Sequence, residues 1–367
     1  MKYIDLNHQY KRIKPAVDAA IQRVLDHGQF IMGPEITEFE QVLADYVGAE
    51  QAIAVSSGTT ALQIALMALE IQPGDEVITT PFSFFATAEV IYLLGAKPIY
   101  VDIDPRTYNL DPEALACAIT DKTKAIIPVS LYGQCADMDA INDVANQHGI
   151  AVIEDAAQSF GATYKGRKSC ALSTIACASF FPSKPLGAYG DAGACFTNDA
   201  ALAERMRSIL NHGQNGRYHH ELIGINGRCD TLQAAILLQK MTVFDEELAL
   251  REQVAAWYGD ALGAERAPFI ADYNQSAWAQ YTIEVDGREQ VQAALAELNI
   301  PTAVHYPKGL HQQPIIASLE TDVLSFPKTE SAGQRVMSVP FHPYMTQTDV
   351  RCVVESIDKV MSKVCSQ

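Results

Sequence analysis

KAIIPVSLYGQCADMDAINDVANQHGIAVIEDAA, residues 124–157, contains a complete strand–helix–strand unit. KAIIPVS (124–130) is a short, mostly apolar run, and AVIEDAA (151–157) is another. Between them MDAINDVANQHG (138–149) spaces its apolar residues as a helix does and ends on glycine. Strands that are apolar on both faces need cover on both faces, and a helical crossover joins them in parallel.

The same alternation extends outward. AIAV (52–55) precedes ALQIALMAL (61–69), and EVITT (76–80) precedes ATAEVIYLL (86–94). KPIYVDI (97–103) precedes a helix opened by Asp111 as N-cap, with Pro112 and Glu113 in its first turn. TIACASFF (174–181) and GACFTN (193–198) are two more strand-like runs flanking a Pro/Gly-rich segment. The expected fold class is α/β, a mostly parallel central sheet flanked by helices, with ligands at the carboxyl ends of its strands. Asp230-x-x-Gln233 reads as a capping box opening a long helix over 231–262. A strand at QYTIEV (280–285), a helix at REQVQAALAELNI (288–300) and a Pro-rich region over 301–343 predict a smaller α+β domain. At 367 residues the chain exceeds what one core serves, so we expect domains over 1–245 and 246–367.

Hydrophobic residues make up 48% and charged residues 19%, the balance of a soluble globular protein. A net charge of -17 argues against a general nucleic-acid or anionic-membrane surface. MKYIDLNHQYKRIKPAVDAAI is polar from its start, so no signal peptide is expected there, and no apolar run approaches the length of a membrane span. The eight cysteines (117, 135, 170, 177, 195, 229, 352, 365) are scattered without a C-x-x-C pair. Free thiols in a reducing cytoplasm fit this, with neither a zinc site nor a disulfide frame, and Cys229 reads as a small buried apolar residue.

Four local features point to chemistry. SSGTTALQIALMAL (56–69) sets hydroxyl residues around Gly58 between a strand and a helix, where free amides suit a phosphate; a plain Ser/Thr N-cap gives the same pattern. In IEDAAQS (153–159), Asp155 ends a buried strand, where a carboxylate needs a partner. Opposite a pyridine ring it would keep the ring nitrogen N1 protonated, with Gln158 as donor to the ring's O3′ oxygen; a strand-end Asp can also simply cap the next turn. SFFPSKPLGAYGDAG (179–193) frames Lys184 between two prolines ahead of Gly187 and Gly190. Pro185 disfavours helical geometry at Lys184, and such a rigid turn suits an amine that must bond covalently to an aldehyde in one orientation. Ser179 adds a hydroxyl for the phosphate. In TTPFSFFATAE (79–89), Phe84 could lie on a flat ring, with Phe82 and Phe85 read as core. Together these features predict a site for pyridoxal 5′-phosphate (PLP) on Lys184.

The sequence resembles the DegT/DnrJ/EryC1/StrS nucleotide-sugar aminotransferase family of fold-type-I PLP enzymes over nearly its whole length. The matching stretches run from IDLNHQY and GQFIMGPEITEFE through SSGTTAL, VDIDPRTYNLDP, PVSLYGQCADMDAI, IEDAAQSFGA and SFFPSKPLGAYGDAGA to GINGRCDTLQAAIL and VHYP (304–307). The resemblance implies Thr59, Thr60 and Ser179 at the phosphate, Phe84 on the ring, Asp155 at N1, Gln158 at O3′ and Lys184 as the cofactor-bound lysine. It implies Asn226 and Arg228 reaching the active site of a partner subunit, hence a homodimer. Within the family, RYHHELIGINGRCDTLQAAILL and SFFPSKPLGAYGDAG look most like enzymes that aminate C3 of a UDP-linked 2-acetamido-3-keto uronic acid. Those enzymes take the amino group from glutamate and act in bacterial O-antigen synthesis. Such an anionic substrate calls for local cations, and Arg217, His219, His220, Arg228, His305 and Lys308 are available. Arg228, His305 and Tyr306 are the expected sugar contacts. Competing readings are another NDP-keto sugar, such as a 3- or 4-keto-6-deoxyhexose, and a non-catalytic regulatory protein on the same fold. A PLP-dependent sugar dehydratase would carry histidine where Lys184 stands.

Overall fold

A computed structural model describes residues 1–319 and 323–364, so Cys365 lies outside the described residues. The chain opens with helices α1 (Leu6–His27) and α2 (Pro34–Val47), then alternates strand and helix. The order is β1 (Gln51–Val55), α3 (Gly58–Ala68), β2 (Glu76–Thr79), α4 (Ala86–Leu93), β3 (Lys97–Tyr100), α5 (Pro112–Ala118), β4 (Thr123–Ile127), α6 (Met138–His148) and β5 (Ala151–Asp155). Short strands β6 (Thr163–Tyr164) and β7 (Arg167–Lys168) lead to β8 (Ile175–Ser179), β9 (Gly193–Thr197) and helix α7 (Ala200–Ile209).

Seven strands form one sheet in the order β1-β9-β8-β5-β4-β2-β3. β3, β2, β4, β5 and β8 run parallel, and β9 is antiparallel to both β8 and β1. The parallel set brings the carboxyl ends of β2, β5 and β8 to one edge, with Asp155 and Ser179 ending two of them.

Side-chain alternation explains the cover on each face. Ile53, Val55, Ile153, Ile175 and Cys177 point to one side, packed by α3 residues such as Leu62, Ile64 and Leu66. Ala52, Ala54, Ala176, Ala178 and Ala194 point to the other. These alanines leave room for Phe39, Phe160, Phe180 and Phe244, drawn from α2, loops and the next helix. Each fully buried Phe contributes roughly 1.5–3 kcal/mol. Helix ends follow local chemistry: the side chains of Asp111, Asp137 and Asp199 cap α5, α6 and α7, and Gly149 closes α6 at φ 67°.

Helix α8 (Thr231–Leu262) leaves the sheet and runs unbroken through residue 245. Phe244 belongs to the sheet core, whereas Val254, Tyr258 and Leu262 belong to a second one. That second core packs α8 against β11 (Tyr281–Glu284), β12 (Val336–Val339), α9 (Arg288–Glu297) and α12 (Gln347–Val364). Between these lie β10 (Asn274–Gln275), α10 (Pro314–Leu319) and α11 (Pro327–Arg335). The capping box expected at Asp230-x-x-Gln233 does not form. Asp230 is the N-cap but its side chain makes no cap bond, and Gln233 Oε1 instead accepts from the Tyr189 N–H at 2.9 Å. Among the described residues no helix is long and apolar enough to cross a membrane. Cys229 is buried in the sheet core.

Candidate active site

Asp155, the last residue of β5, is buried, and its carboxylate is held on both oxygens. Oδ2 accepts from Thr87 Oγ1 at 2.8 Å and Oδ1 from the Ala157 N–H at 3.2 Å. An ionised carboxylate only accepts, so the Thr87 hydroxyl hydrogen points at it. Ser83 Oγ, 2.9 Å from Thr87 Oγ1, must then be the donor in that pair. Burial pushes the Asp155 carboxyl upward, opposed by the bonds from Thr87 and Ala157 and by the charge of Lys184. Glu154 next door points to the opposite face, where Ser130, Ser169 and the Cys170 N–H donate to it. The two adjacent carboxylates therefore keep separate shells.

Lys184 lies in the turn after β8, which its own N–H closes onto Phe181 O at 2.8 Å. Burial pushes its amine down to about 8, against the upward pull of Asp155. Roughly a tenth is therefore neutral at pH 7, against less than a thousandth for an ordinary lysine. A free amine and a buried carboxylate thus face the same space at the carboxyl edge of the sheet.

Gln158 is oriented by its neighbours. The Tyr132 N–H donates to Oε1 at 2.9 Å, which turns Nε2 toward the Tyr306 hydroxyl at 3.2 Å. Tyr132 takes a left-handed φ of 58° to do this, and its hydroxyl donates to His305 O. The Tyr306 ring lies 6.2 Å from the exposed ring of Phe84 and 6.4 Å from buried Phe82. His305 Nδ1 pairs with Ser338 Oγ at 2.9 Å. Burial and the nearby charge of Lys184 pull His305 down to about 4. It is therefore neutral at physiological pH, and the reading of His305 as a local cation is corrected: it offers hydrogen bonds, not charge.

The Ser56–Thr60 turn caps α3, with Ser57 Oγ accepting from the Thr60 N–H at 3.1 Å. Thr60 Oγ1 also pairs with Ser56 Oγ at 2.9 Å and Ser57 Oγ at 3.0 Å. The turn presses on Ser179 so closely that a Cβ on Gly58 would sit 2.7 Å from Ser179 Cβ. Thr59 and Thr60 thus open α3 beside Ser179, and a helix N-terminus of this kind suits a phosphate dianion.

Residues 226–228 run alongside β1, where Arg228 bridges Val55 and the Ser56 N–H bonds Gly227 O at 2.8 Å. Asn226 is exposed. Arg228 Nη1 donates to Asn211 Oδ1 at 2.7 Å, and its buried Nε has no hydrogen-bond partner among the described residues. Arg217 stacks on exposed Tyr218, His219 pairs with Glu221, and His220 Nδ1 meets His212 O. Thr87, Ser83 and Tyr132 escaped the sequence reading. Nothing in a helical Thr or a turn Tyr marks it, beyond the Gly133 that follows Tyr132.

The sequence pattern of the DegT/DnrJ/EryC1/StrS aminotransferase family matches residues 11–358. The chain is 58% identical over 359 residues to a UDP-2-acetamido-2-deoxy-3-oxo-D-glucuronate aminotransferase of Pseudomonas aeruginosa, covering 97% of this chain and 99% of that one. A crystal structure of a DegT/DnrJ/EryC1/StrS aminotransferase from Brucella abortus superposes with a TM-score of 0.95 at 41% identity, covering 98% and 99% of the two chains. NtdA from Bacillus subtilis, solved with bound cofactor PMP, gives 0.89 at 33% identity, covering 98% and 83%.

Proposed function

The chain belongs to the DegT/DnrJ/EryC1/StrS aminotransferase family, and on that premise we propose that it moves the amino group of glutamate to C3 of a UDP-linked 2-acetamido-3-keto-hexuronic acid. It is a PLP-dependent nucleotide-sugar aminotransferase. The observation that carries the assignment of roles is the depressed amine of Lys184 facing a carboxylate fixed by Thr87.

Bound here, PLP supplies an aldehyde carbon conjugated to a ring that withdraws electrons when its nitrogen is protonated. Asp155 would hold the proton on N1, Gln158 Nε2 would donate to O3′, and Phe84 would lie on the ring face. Thr59, Thr60, Ser179 and Asn226 would bind the phosphate. Lys184 would anchor the cofactor covalently and then move the proton between the substrate carbon and C4′. Glutamate gives up its amino group and leaves as the keto acid, and the keto sugar takes the group in a second half-reaction.

Arg228, His305 and Tyr306 would contact the sugar, with Arg228 rather than neutral His305 supplying the charge. The exposure of Asn226 supports a homodimer in which Asn226 and Arg228 serve the neighbouring site. The free, scattered cysteines support a cytoplasmic location, and the proposed uronic acid suits bacterial surface polysaccharide synthesis, O-antigen included. The test is amino transfer from glutamate to a panel of UDP- and dTDP-keto sugars. Preference for the 3-keto uronate is expected; equal rates with and without the carboxylate would remove the uronate assignment in favour of a deoxy sugar.

A further inference from the structure

Directly behind the Lys184 turn lies a buried cation that the transfer chemistry does not use. Lys240, in the third turn of α8, is fully buried. Its Nζ donates to the carbonyl of Gly187 and lies 4.1 Å over the ring of Tyr189. Two helical turns earlier on the same face, Gln233 Oε1 accepts from the Tyr189 N–H at 2.9 Å. Helix α8 thus grips the loop just past Lys184 twice, once as donor and once as acceptor.

The loop has little slack on its other side. Ala188 N–H bonds Phe180 O at 2.7 Å, and Lys184 N–H bonds Phe181 O at 2.8 Å. A Cβ on Gly187 would fall 2.4 Å from Pro182 O, and one on Gly190 3.0 Å from Gln233 Nε2. Leu186 and Ala188 are buried in the sheet core. An ammonium in this place is costly. Lys240 has no ion pair among the described residues, and Glu247, two turns further on, is engaged by Gln9 and Tyr344. Burial accordingly pushes the Lys240 amine down to about 8. A methionine would fill the space without desolvating a charge, so packing does not account for a lysine here.

We propose that Lys240 and Gln233 are positioning residues that hold the Lys184 turn from behind and so set the direction of its amine. The inference rests on Lys184 being the reactive amine. The variants are Lys240→Met, Gln233→Leu and Gln233→Glu, the last keeping an acceptor for the Tyr189 N–H. In cofactor-free protein, hydrogen exchange of the amides over 182–190 should accelerate about tenfold in Lys240→Met and Gln233→Leu, and stay near wild type in Gln233→Glu. In the loaded enzyme, misdirection of the amine should lower kcat by about 10- to 100-fold in the first two, with KM for glutamate within about twofold. If Lys240→Met does not fold by circular dichroism, Gln233→Leu, in the half-buried first turn of α8, decides the matter. Folded variants with unchanged exchange or unchanged kcat overturn the proposal. A Gln233→Glu protein behaving like Gln233→Leu overturns the role of the Tyr189 bond. Failure of the Lys184 assignment would show itself separately, as turnover surviving in Lys184→Ala, because the exchange measurement needs no bound cofactor.

Discussion

The Lys184 corner and the 212–228 segment are built in opposite ways. At the corner, Thr87 holds Asp155 and Tyr132 orients Gln158 toward Tyr306 by hydrogen bonds within a single chain, and burial pushes both Lys184 and Asp155 toward their neutral forms while the charge of each opposes the shift in the other. Along 212–228, Arg217, Tyr218, His219 and His220 stand in solvent with local partners, Asn226 is exposed, and the buried Nε of Arg228 has no hydrogen-bond partner among the described residues. On the function proposed above, the contrast follows from two tasks. Moving a proton needs groups fixed before substrate arrives, in a dry space where charges act strongly. Holding a large anionic nucleotide sugar needs reach, which a second chain can supply.

Removing the reactive group gives the largest effect. Lys184→Ala should lower turnover by about 10⁴-fold or more. Borohydride reduction and peptide mapping should then find no pyridoxyl adduct at that residue, and undiminished transamination would break the assignment. The contrast itself is tested by mixing. Arg228→Ala should also be weak, yet subunits of Lys184→Ala and Arg228→Ala, dissociated and reassociated together, should recover about a quarter of wild-type activity, because half the dimers then contain one intact shared site. No recovery would mean that each chain builds its site alone.

Next in size is a pH effect. In cofactor-free protein the Lys184 amine should become reactive toward a small aldehyde as pH rises through about 8. Asp155 pulls that midpoint upward, so Asp155→Asn should move it lower; a move upward would contradict the arrangement. The same depression means the unfolded chain binds the extra proton between about 8 and 10.5, so this group opposes folding fully below about 8 and less and less as pH climbs through that window. The smallest effect is expected at Thr87. Thr87→Val removes one hydrogen bond, worth about 1 kcal/mol or roughly fivefold in kcat, and Thr87→Ser should restore it.

The sheet was readable from sequence because its strands are buried on both faces and its helices on one, so period and apolar content change sharply at each boundary. Asp155 and Lys184 stood out as charges where the pattern predicts none: one at the end of an apolar strand, the other between prolines. Thr87 lies 68 residues from the carboxylate it holds, and as a Thr in a helix it breaks no local rule. Asp230 and Gln233 satisfied a local rule on paper, yet an amide 44 residues from Gln233 claimed its side chain.

Composition and periodicity by themselves determined the α/β order, the strand ends and the pair of charges at the sheet's edge, since these depend on near neighbours along the chain. Tertiary packing alone decided that His305 is neutral, that Thr87 and Ser83 donate toward Asp155, and that Lys240 lies against the Lys184 loop. Those properties come from desolvation and from partners brought together across long separations, and no local pattern encodes either.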